Sequence, residues 1–445
     1  MPELERWPSG LRRTLGKRVY VNSISRVRIP SSLLKNCSMK SALSPTKINE
    51  RIQSLDILRG FAILGILIMN IQSFSMPASA YSNPLAFGDL NGINKCVWII
   101  SHVFADMKFM NIFSILFGAG IILVTSRAEL KTSKSAGLHY KRNFWLLVFG
   151  LIHAHLIWYG DILVTYSLCA LILFPLRKIR PSYQLILGIL IFSIHSIIYL
   201  FFGNSIDSWP SASLSAMAQS WAPSIESINY EIGMITGSIS QQIQRNSSLA
   251  LYLETNYFLF AYLWRVTGLM LIGMALYKWE FLNAKKSNSF YKKAALTLLP
   301  IGFILIISGV IKNFNNEWNW IYSMFLGSQF NYWGSLFVSV GYISVIMLIS
   351  KSNFLNSFKN RLAAVGRMAL TNYISQSIIC VVLFFGVGFS LFGQIERWTQ
   401  VIIVISIWIL QLIWSKPFLE KFRFGPLEWV WRSFTYGKKQ NWTRK

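Results

Sequence analysis

The stretch LDILRGFAILGILIMNI, residues 55–71, decides the fold of this chain. It begins with Asp56 and Arg59, and no further charged residue follows until Asp89. A helix needs about 20 mostly apolar residues to cross the hydrocarbon core of a bilayer. The stretch therefore predicts a membrane-spanning helix whose charged residues lie at one boundary.

Similar apolar runs recur along the chain and predict an all-α, polytopic bundle of about ten transmembrane helices. The chain has 445 residues, of which 53% are hydrophobic and 13% charged, whereas soluble domains carry about 25% charged residues. The third and fourth spans form a hairpin, because only Tyr159, Gly160 and Asp161 turn the chain between them. The predicted spans are 57–76, 98–124, 143–159, 162–176, 183–202, 257–277, 294–311, 334–350, 370–392 and 398–415.

Basic residues give the bundle its expected orientation. The net charge is +26, but the Lys and Arg residues lie in short loops between spans, so we expect a lipid-bilayer partner and no nucleic acid. Four alternate loops hold seventeen of them and the intervening loops hold four. Basic loops stay in the cytoplasm. The pattern predicts a bacterial inner-membrane protein with both termini cytoplasmic, an outer loop at 203–256 and a basic, aromatic tail at 416–445 that lies at the membrane interface.

Residues 1–38 differ from the rest, being polar, basic and without periodicity. Read back through the genetic code, WPSG (7–10) and RVRIP (26–30) resemble the D-arm and T-arm of a bacterial transfer RNA gene. The segment has no apolar core of a signal peptide. We expect it to be a non-native leader, with translation beginning at Met39 and a short cytoplasmic segment, 39–56, before the first span.

Ionisable residues inside predicted spans are the candidates for function, because a charge in the bilayer is costly unless it is paired. Asp56 and Arg59 are three residues apart on one helix face, as an ion pair requires. The second span contains His102, four residues before Asp106, and then Lys108. The others are His153, His155, Asp161 and Arg265, with the neutral Asn70, Asn111, Asn372 and Gln376 as further polar groups.

Several chemistries have no sequence support. The four cysteines are widely spaced, so no metal site is predicted. No phosphate-binding loop, nucleophile elbow, zinc-protease motif or dinucleotide fingerprint stands on a suitable element. We therefore expect no resident cofactor and no ATP-driven pump.

From about residue 51 to the end, the chain resembles the YeiB family of bacterial inner-membrane proteins. The motifs are LDILRGFAILGILIMNI (55–71), FSILFGAG (113–120), GDIL (160–163), GRMALTNYISQS (366–377) and GPLEWVWRSFTYG (425–437). The resemblance implies a family C-terminal domain at about 257–440. More distantly, the opening Asp-x-x-Arg-Gly helix is similar to membrane acyltransferases, which move an acyl group from cytoplasmic acyl-CoA to an acceptor and use a His as general base.

That distant similarity implies roles for the candidates. His153 is the first choice as base, with His102 or His155 in reserve, and the acceptor is a lipid or a glycan. Arg59, beside Asp56, is expected to hold a CoA phosphate. Arg265 or Lys108 is expected to stabilise oxyanion charge, and the substrate-binding candidates are Asp56, Arg59, Asn70, His155 and Asp161.

Two other functions stay open. Ten spans divide into two halves of five, as in transporters with inverted repeats, and Arg59 with Gly60 and Gly65 weakly matches Arg265 with Gly268 and Gly273. A non-enzymatic membrane protein is the third possibility. Whether the protein is an acyltransferase or a transporter, we expect Asp106, Lys108, His153 and Arg265 to share one cavity, with spans two, three and six as mutual neighbours.

Overall fold

The computed structural model describes residues 51–131 and 135–444, and the expected leader, 1–38, lies outside them. The described residues form seventeen α-helices and no β-strand, which confirms the predicted all-α class. The helices are α1 Gln53–Ser75, α2 Ser79–Ser82, α3 Gly92–Phe104, α4 Lys108–Lys131, α5 Ser135–Ile152, α6 Leu163–Leu173, α7 Pro181–Asn204, α8 Ser211–Trp221, α9 Ile225–Thr236, α10 Ile239–Tyr252, α11 Leu263–Lys278, α12 Asn288–Asn315, α13 Ser328–Lys351, α14 Asn356–Arg367, α15 Ala369–Phe384, α16 Arg397–Lys421 and α17 Pro426–Tyr436.

Three π-helical segments interrupt or extend these helices. His153–Ile157 extends α5, Leu253–Tyr262 joins α10 to α11, and Tyr322–Gly327 leads into α13. In a π-helix each carbonyl is bonded one residue further along than in an α-helix, which re-aims the side chains.

The number of spans differs from the expected ten. In the described parts, seven helices are long and apolar enough to cross a membrane, and α14 with α15, bent by 82°, gives up to eight. The third and fourth predicted spans are the two without a counterpart. Their helices, α5 and α6, do pack together as the predicted hairpin. However, α5 carries Lys141 and Arg142 in its first half, and α6 has only 11 residues, so neither is a long apolar helix.

The predicted outer loop, 203–256, is also largely helical. It contains α8, α9 and α10, and α10 continues through the π segment into α11 as one stretch, Ile239–Lys278. The predicted sixth span, 257–277, therefore lies within a longer helical stretch that begins at Ile239.

Glycines allow the central helices to pack closely. A Cβ atom on Gly118 of α4 would lie 1.9 Å from the carbonyl oxygen of Met270 on α11, and one on Gly273 of α11 would lie 2.0 Å from that of Ile115 on α4. Small residues permit such close backbone approach in membrane helices. The pair α4–α11 therefore forms a tightly packed unit, as expected for spans two and six.

The basic loops lie together at one end of the bundle, which we call the basic end. Arg177 pairs with Glu129 at 2.8 Å, Lys278 donates to the Ile179 carbonyl at 2.7 Å, and Lys351 donates to the Lys286 carbonyl at 2.7 Å. These three contacts join all four predicted basic loops. Their shared position agrees with the alternation of charge along the sequence.

The tail packs on the protein more than the interfacial prediction implied. The indole of Trp431 on α17 donates to the Arg142 carbonyl at 2.9 Å, and Phe434 stacks on Trp145 with ring centroids 4.4 Å apart. The Glu428 carboxylate accepts from the backbone N–H groups of Leu370 and Thr371 at the start of α15. Helix α17 is therefore bound to the basic end of the bundle.

Candidate functional site

The second predicted span breaks in the middle, between α3 and α4. Residues 105–107 leave the helix, and Met107 has a φ of 65°. A left-handed conformation at a residue with a side chain costs about 1–3 kcal/mol and tends to occur at functional sites. Irregular backbone within a membrane bundle is tolerated where it lines a cavity or is buried in protein. The break places Asp106 outside regular helix.

Asp106 is the centre of a buried polar network. Its carboxylate accepts from the Tyr81 hydroxyl at 3.1 Å and from the Asn331 amide at 2.6 Å, and it contacts Nδ1 of His102 at 3.2 Å. The His102–Asp106 contact was predicted from the spacing of the two residues. The bonds from Tyr81 and Asn331 were not predicted.

Lys108 belongs to the same network without contacting Asp106 directly. Its ammonium donates to the Asn331 side-chain oxygen and to the His102 carbonyl, each at 2.7 Å. Asn331 thus bridges the expected pair of charges, since it accepts from Lys108 and donates to Asp106. The Lys108 side chain is fully buried.

Arg265 is held by two neutral partners, Asn111 on α4 and Ser335 on α13, the latter one helical turn after Asn331. Its guanidinium donates to the Asn111 oxygen at 2.9 and 3.1 Å and to the Ser335 hydroxyl at 3.2 Å, and it lies 5.0 Å from the centre of the Tyr332 ring. None of these partners carries a negative charge. The positive charge of Arg265 therefore remains available to a ligand.

One sequence signal for this site was overlooked. Asn331, Ser335 and Ser339 follow one another at intervals of four on α13, and all three are buried. Spacing of four places side chains on one face of a helix. A polar stripe on an otherwise apolar helix indicates the face that meets other polar groups, here Lys108, Asn111 and Arg265.

These groups surround a cavity of about 780 Å³. Asn70, His102, Asp106, Asp161 and Arg265 all line it. Much of the remaining wall is aromatic: Trp98, Trp158, Trp209, Trp221, Trp318, Tyr81, Tyr159, Tyr199, Tyr252, Tyr257, Tyr262, Tyr332 and Tyr373. An apolar cavity with a few converging polar groups is the usual form of a small-molecule site.

The helical irregularities converge on this cavity. Two of the three π-helical segments, Leu253–Tyr262 and Tyr322–Gly327, contribute lining residues, and so does the break at 105–107. Such segments are frequent at functional sites. His195, which sequence analysis did not single out, also lines the wall, stacked on Tyr332 with ring centroids 4.3 Å apart.

His153 lies behind the cavity wall in a network of its own. Its Nδ1 is 2.8 Å from the Asp161 carboxylate and its Nε2 is 2.9 Å from the Ser377 hydroxyl. Asp161 also accepts from the backbone N–H of Val164 at 2.8 Å. His153 is 1% exposed, so only Asp161 of this group faces the cavity.

The remaining candidates lie elsewhere. His155 is 3.3 Å from Glu254 and does not line the cavity. Asp56 pairs with Arg59 at 2.8 Å, as predicted, and with Arg51 at 3.4 Å, at the basic end. The expected shared cavity thus contains Asp106 and Arg265, whereas Lys108 and His153 lie one layer behind it. Of the expected neighbours, α4 packs against both α11 and α5, but α5 and α11 do not pack closely on each other, so spans two, three and six are not mutual neighbours.

No group of His, Cys, Asp and Glu residues in the described ranges could hold a metal ion. The described cysteines are free thiols: Cys96 is exposed, and Cys169 and Cys380 are buried.

Comparison with known protein sequences identifies the family of this chain. The chain is 32% identical to the protein YeiB from Escherichia coli (strain K12) over 396 residues, 87% of this chain and 96% of YeiB. It is also 32% identical to YxaH from Bacillus subtilis (strain 168) over 409 residues, 89% of this chain and 97% of YxaH. A family model described as "Protein of unknown function (DUF418)" matches residues 276–438. The chain belongs to the DUF418 (YeiB) family.

Membership confirms the family resemblance seen in the sequence motifs. The residues that match the DUF418 model run from the last turn of α11 through α17 and include Asn331, Ser335 and Ser377. His102, Asp106 and Arg265 lie before them. No solved structure matches this DUF418 member. The cavity therefore combines residues from inside and outside the matched segment.

Proposed function

We propose that this DUF418 member transfers an acyl group from acyl-CoA to an acceptor hydroxyl bound in the aromatic cavity, with His102 as the general base. The observation that carries the proposal is the position of the His102–Asp106 pair. It lies at the helix break, lines the cavity, and has its Nδ1 contact at 3.2 Å. A base whose second nitrogen is oriented by a carboxylate is the arrangement that activates hydroxyl groups in acyl transfer.

In this reaction Nε2 of His102 removes the proton of the acceptor hydroxyl. The hydroxyl oxygen then attacks the thioester carbonyl carbon. The carbon–sulfur bond breaks, and His102 returns the proton to the sulfur, so that CoA leaves as the free thiol. Asp106 keeps the imidazole oriented. Arg265, whose protein partners are all neutral, stabilises the oxyanion that forms on the carbonyl.

The geometry favours His102 over His153, the first choice from the sequence. His102 lines the cavity, whereas both ring nitrogens of His153 contact protein groups, Asp161 and Ser377. A base must come within hydrogen-bond reach of the proton it removes. We therefore assign His153 a supporting role, in which it anchors the α5–α6 hairpin to α15.

The donor would approach from the basic end. Arg59 and Asn70 are eleven residues apart on α1, which is about 16 Å at 1.5 Å per residue. Asn70 lines the cavity. A donor whose phosphates lie near Arg59 would therefore have to extend about that far to place its thioester at the cavity.

His102→Gln tests the proposal. In purified protein in lipid nanodiscs, supplied with acetyl-CoA and membrane extract as the source of acceptors, CoA release should fall by about 10²–10⁴-fold, the usual contribution of a general base. Binding of acetyl-CoA, measured by calorimetry, should persist because the imidazole acts only in the chemical step.

His155→Gln is the matched control, since it removes a partly exposed histidine that does not line the cavity. His153→Gln should reduce stability more than catalysis. Equal CoA release by wild-type protein and His102→Gln would refute the role of His102. Absence of binding to any acyl-CoA would refute acyl transfer itself.

One observation favours transport as a second candidate function. Discontinuous helices and a binding cavity between them are typical of secondary transporters, and the α3–α4 break lies beside such a cavity. Uptake of solutes into vesicles that contain the purified protein, with no CoA released, would favour this alternative.

A further inference from the structure

Six arginines from four segments of the chain converge at the basic end. The members of this arginine cluster are Arg51, Arg59, Arg142, Arg367, Arg432 and Arg444. Arg432 on α17 lies within electrostatic range of Arg51 and Arg59, and Arg142 lies within range of Arg432 and Arg59. Arg367 interacts in the same way with Arg51 and Arg444. Positive charge is therefore concentrated where α1, α5, α14 and the tail meet.

Two carboxylates among the described residues interact with the arginine cluster. Asp56 pairs with Arg51 and Arg59. Glu428 is within range of Arg432, but its oxygens accept from the backbone N–H groups of Leu370 and Thr371 and from the Thr371 hydroxyl. Among the described residues, the six arginines therefore outnumber these two carboxylates by four.

Several guanidinium nitrogens of the cluster are buried and lack hydrogen-bond partners within the described ranges, although the side chains that carry them are partly exposed. These are Nε and Nη2 of Arg367, Nε of Arg432 and Nε of Arg444. Burial, and then the charge of Arg432, lower the pKa of the Arg142 guanidinium to about 9. Burial, and then the charge of Arg51, also lower the pKa of Arg432. Both effects would be offset by a bound anion.

The fold also orients these guanidinium groups before any ligand arrives. The guanidinium carbon of Arg142 lies over the Trp431 ring, 4.1 Å from its centre, and that of Arg432 lies over the Phe424 ring, 4.8 Å from its centre. Stacking on aromatic rings leaves the edges of a guanidinium free to donate, and those edges match phosphate oxygens in pairs. Helix α17 thus contributes both a cation and the ring that orients another.

We propose that the arginine cluster, closed by α17, is a binding site for a ligand that carries two or more phosphate groups. The charge excess and the unpartnered donors match the three acceptor oxygens and the negative charge of each phosphate. Two sources have this chemistry: a soluble phosphate ester, such as the nucleotide end of an acyl-CoA, and the headgroups of anionic lipids. The site does not depend on the acyl-transfer proposal.

Thermal unfolding of the purified, delipidated full-length protein in neutral detergent tests the site. Inorganic pyrophosphate is the soluble probe, and nanodiscs of phosphatidylglycerol against phosphatidylcholine are the lipid probe. We expect one of the probes to raise the Tm of the wild type. Arg142→Gln and Arg432→Gln should each raise the probe concentration needed for half of that Tm increase about tenfold or more, since each removes a charge-assisted hydrogen bond.

Lys438→Gln is the matched control, because it removes one charge from an exposed position in the same tail. A pyrophosphate response lost only in the arginine variants supports a soluble phosphate ester. A response only to phosphatidylglycerol, lost in the same variants, supports a lipid headgroup. No response to either probe, or equal responses in Arg432→Gln and Lys438→Gln, overturns the proposal.

Two further variants keep the result interpretable. Arg432→Lys retains the charge but not the paired donors, so it should fold and bind more weakly than wild type; undiminished binding would contradict a guanidinium-specific site. His102→Gln should bind pyrophosphate or lipid normally. If acyl transfer is not detected but the phosphate probe binds, the phosphate-site proposal stands. If acyl transfer is detected but the probe does not bind, only the phosphate-site proposal is refuted.

Discussion

At the scale of single residues, Lys108 and Asp106 show how a bundle interior accommodates opposite charges that do not touch. The Asn331 amide joins them, with its oxygen toward the ammonium and its nitrogen toward the carboxylate, at 2.7 and 2.6 Å. An amide used in this way satisfies both charges with a single neutral group. The pair is therefore best understood as one unit of three residues.

Lys108→Met should be strongly destabilising, because it leaves the Asp106 charge without its compensating cation. Removing one partner of a buried pair costs about 3–5 kcal/mol. Adding Asp106→Asn should recover part of that loss, and a double-mutant cycle on unfolding midpoints in detergent measures the coupling.

Lys292→Met, at an exposed position near the start of α12, is the control and should change little. If Lys108→Met unfolds like this control but abolishes activity, Lys108 acts in function instead of in the structural pair. The two roles are thus separated by measuring stability and activity on the same sample.

At the scale of elements, the close contact of α4 with α11 positions Asn111 against Arg265, one part of the site. Gly118 tests that contact. In Gly118→Ala the new Cβ would lie 1.9 Å from the Met270 carbonyl oxygen, so the helices must separate. We expect a loss of about 1–3 kcal/mol, as for other overpacked cores, together with weaker ligand binding, because Asn111 and Arg265 lie on the two helices.

Gly120→Ala on the same helix provides a close control, since a Cβ there meets nothing within 4 Å. It should be neutral or slightly stabilising, because alanine favours helix over glycine. Equal melting temperatures for the two variants would show that close approach at Gly118 is unimportant.

At the scale of the whole molecule, the clustering of basic loops at one end supports the predicted orientation, with that end in the cytoplasm. This orientation is the same whether or not α5 and α6 cross the membrane, because a hairpin returns the chain to the end it came from. The exposed thiol of Cys96 lies at the start of α3, at the opposite end.

A membrane-impermeant maleimide should therefore label Cys96 in intact cells, in protein whose other cysteines are replaced by serine. In a Cys96→Ser background, Lys438→Cys should be labelled only after the cells are permeabilised. The opposite pattern would reverse the orientation, and with it the side from which the arginine cluster is reached.

The sequence alone determined the features that depend on local geometry. Apolar runs predicted the all-α membrane class, and a three-residue turn predicted the α5–α6 hairpin. Spacings of three and four predicted the Asp56–Arg59 and His102–Asp106 contacts, because helix periodicity brings such residues together whatever surrounds them.

Only the tertiary structure decided the rest. Asn331 meets Asp106 across 225 positions, Ser377 meets His153 across 224, and Arg265 meets Asn111 across 154. Those contacts depend on how each helix is rotated and where it breaks, and packing of the whole bundle sets both.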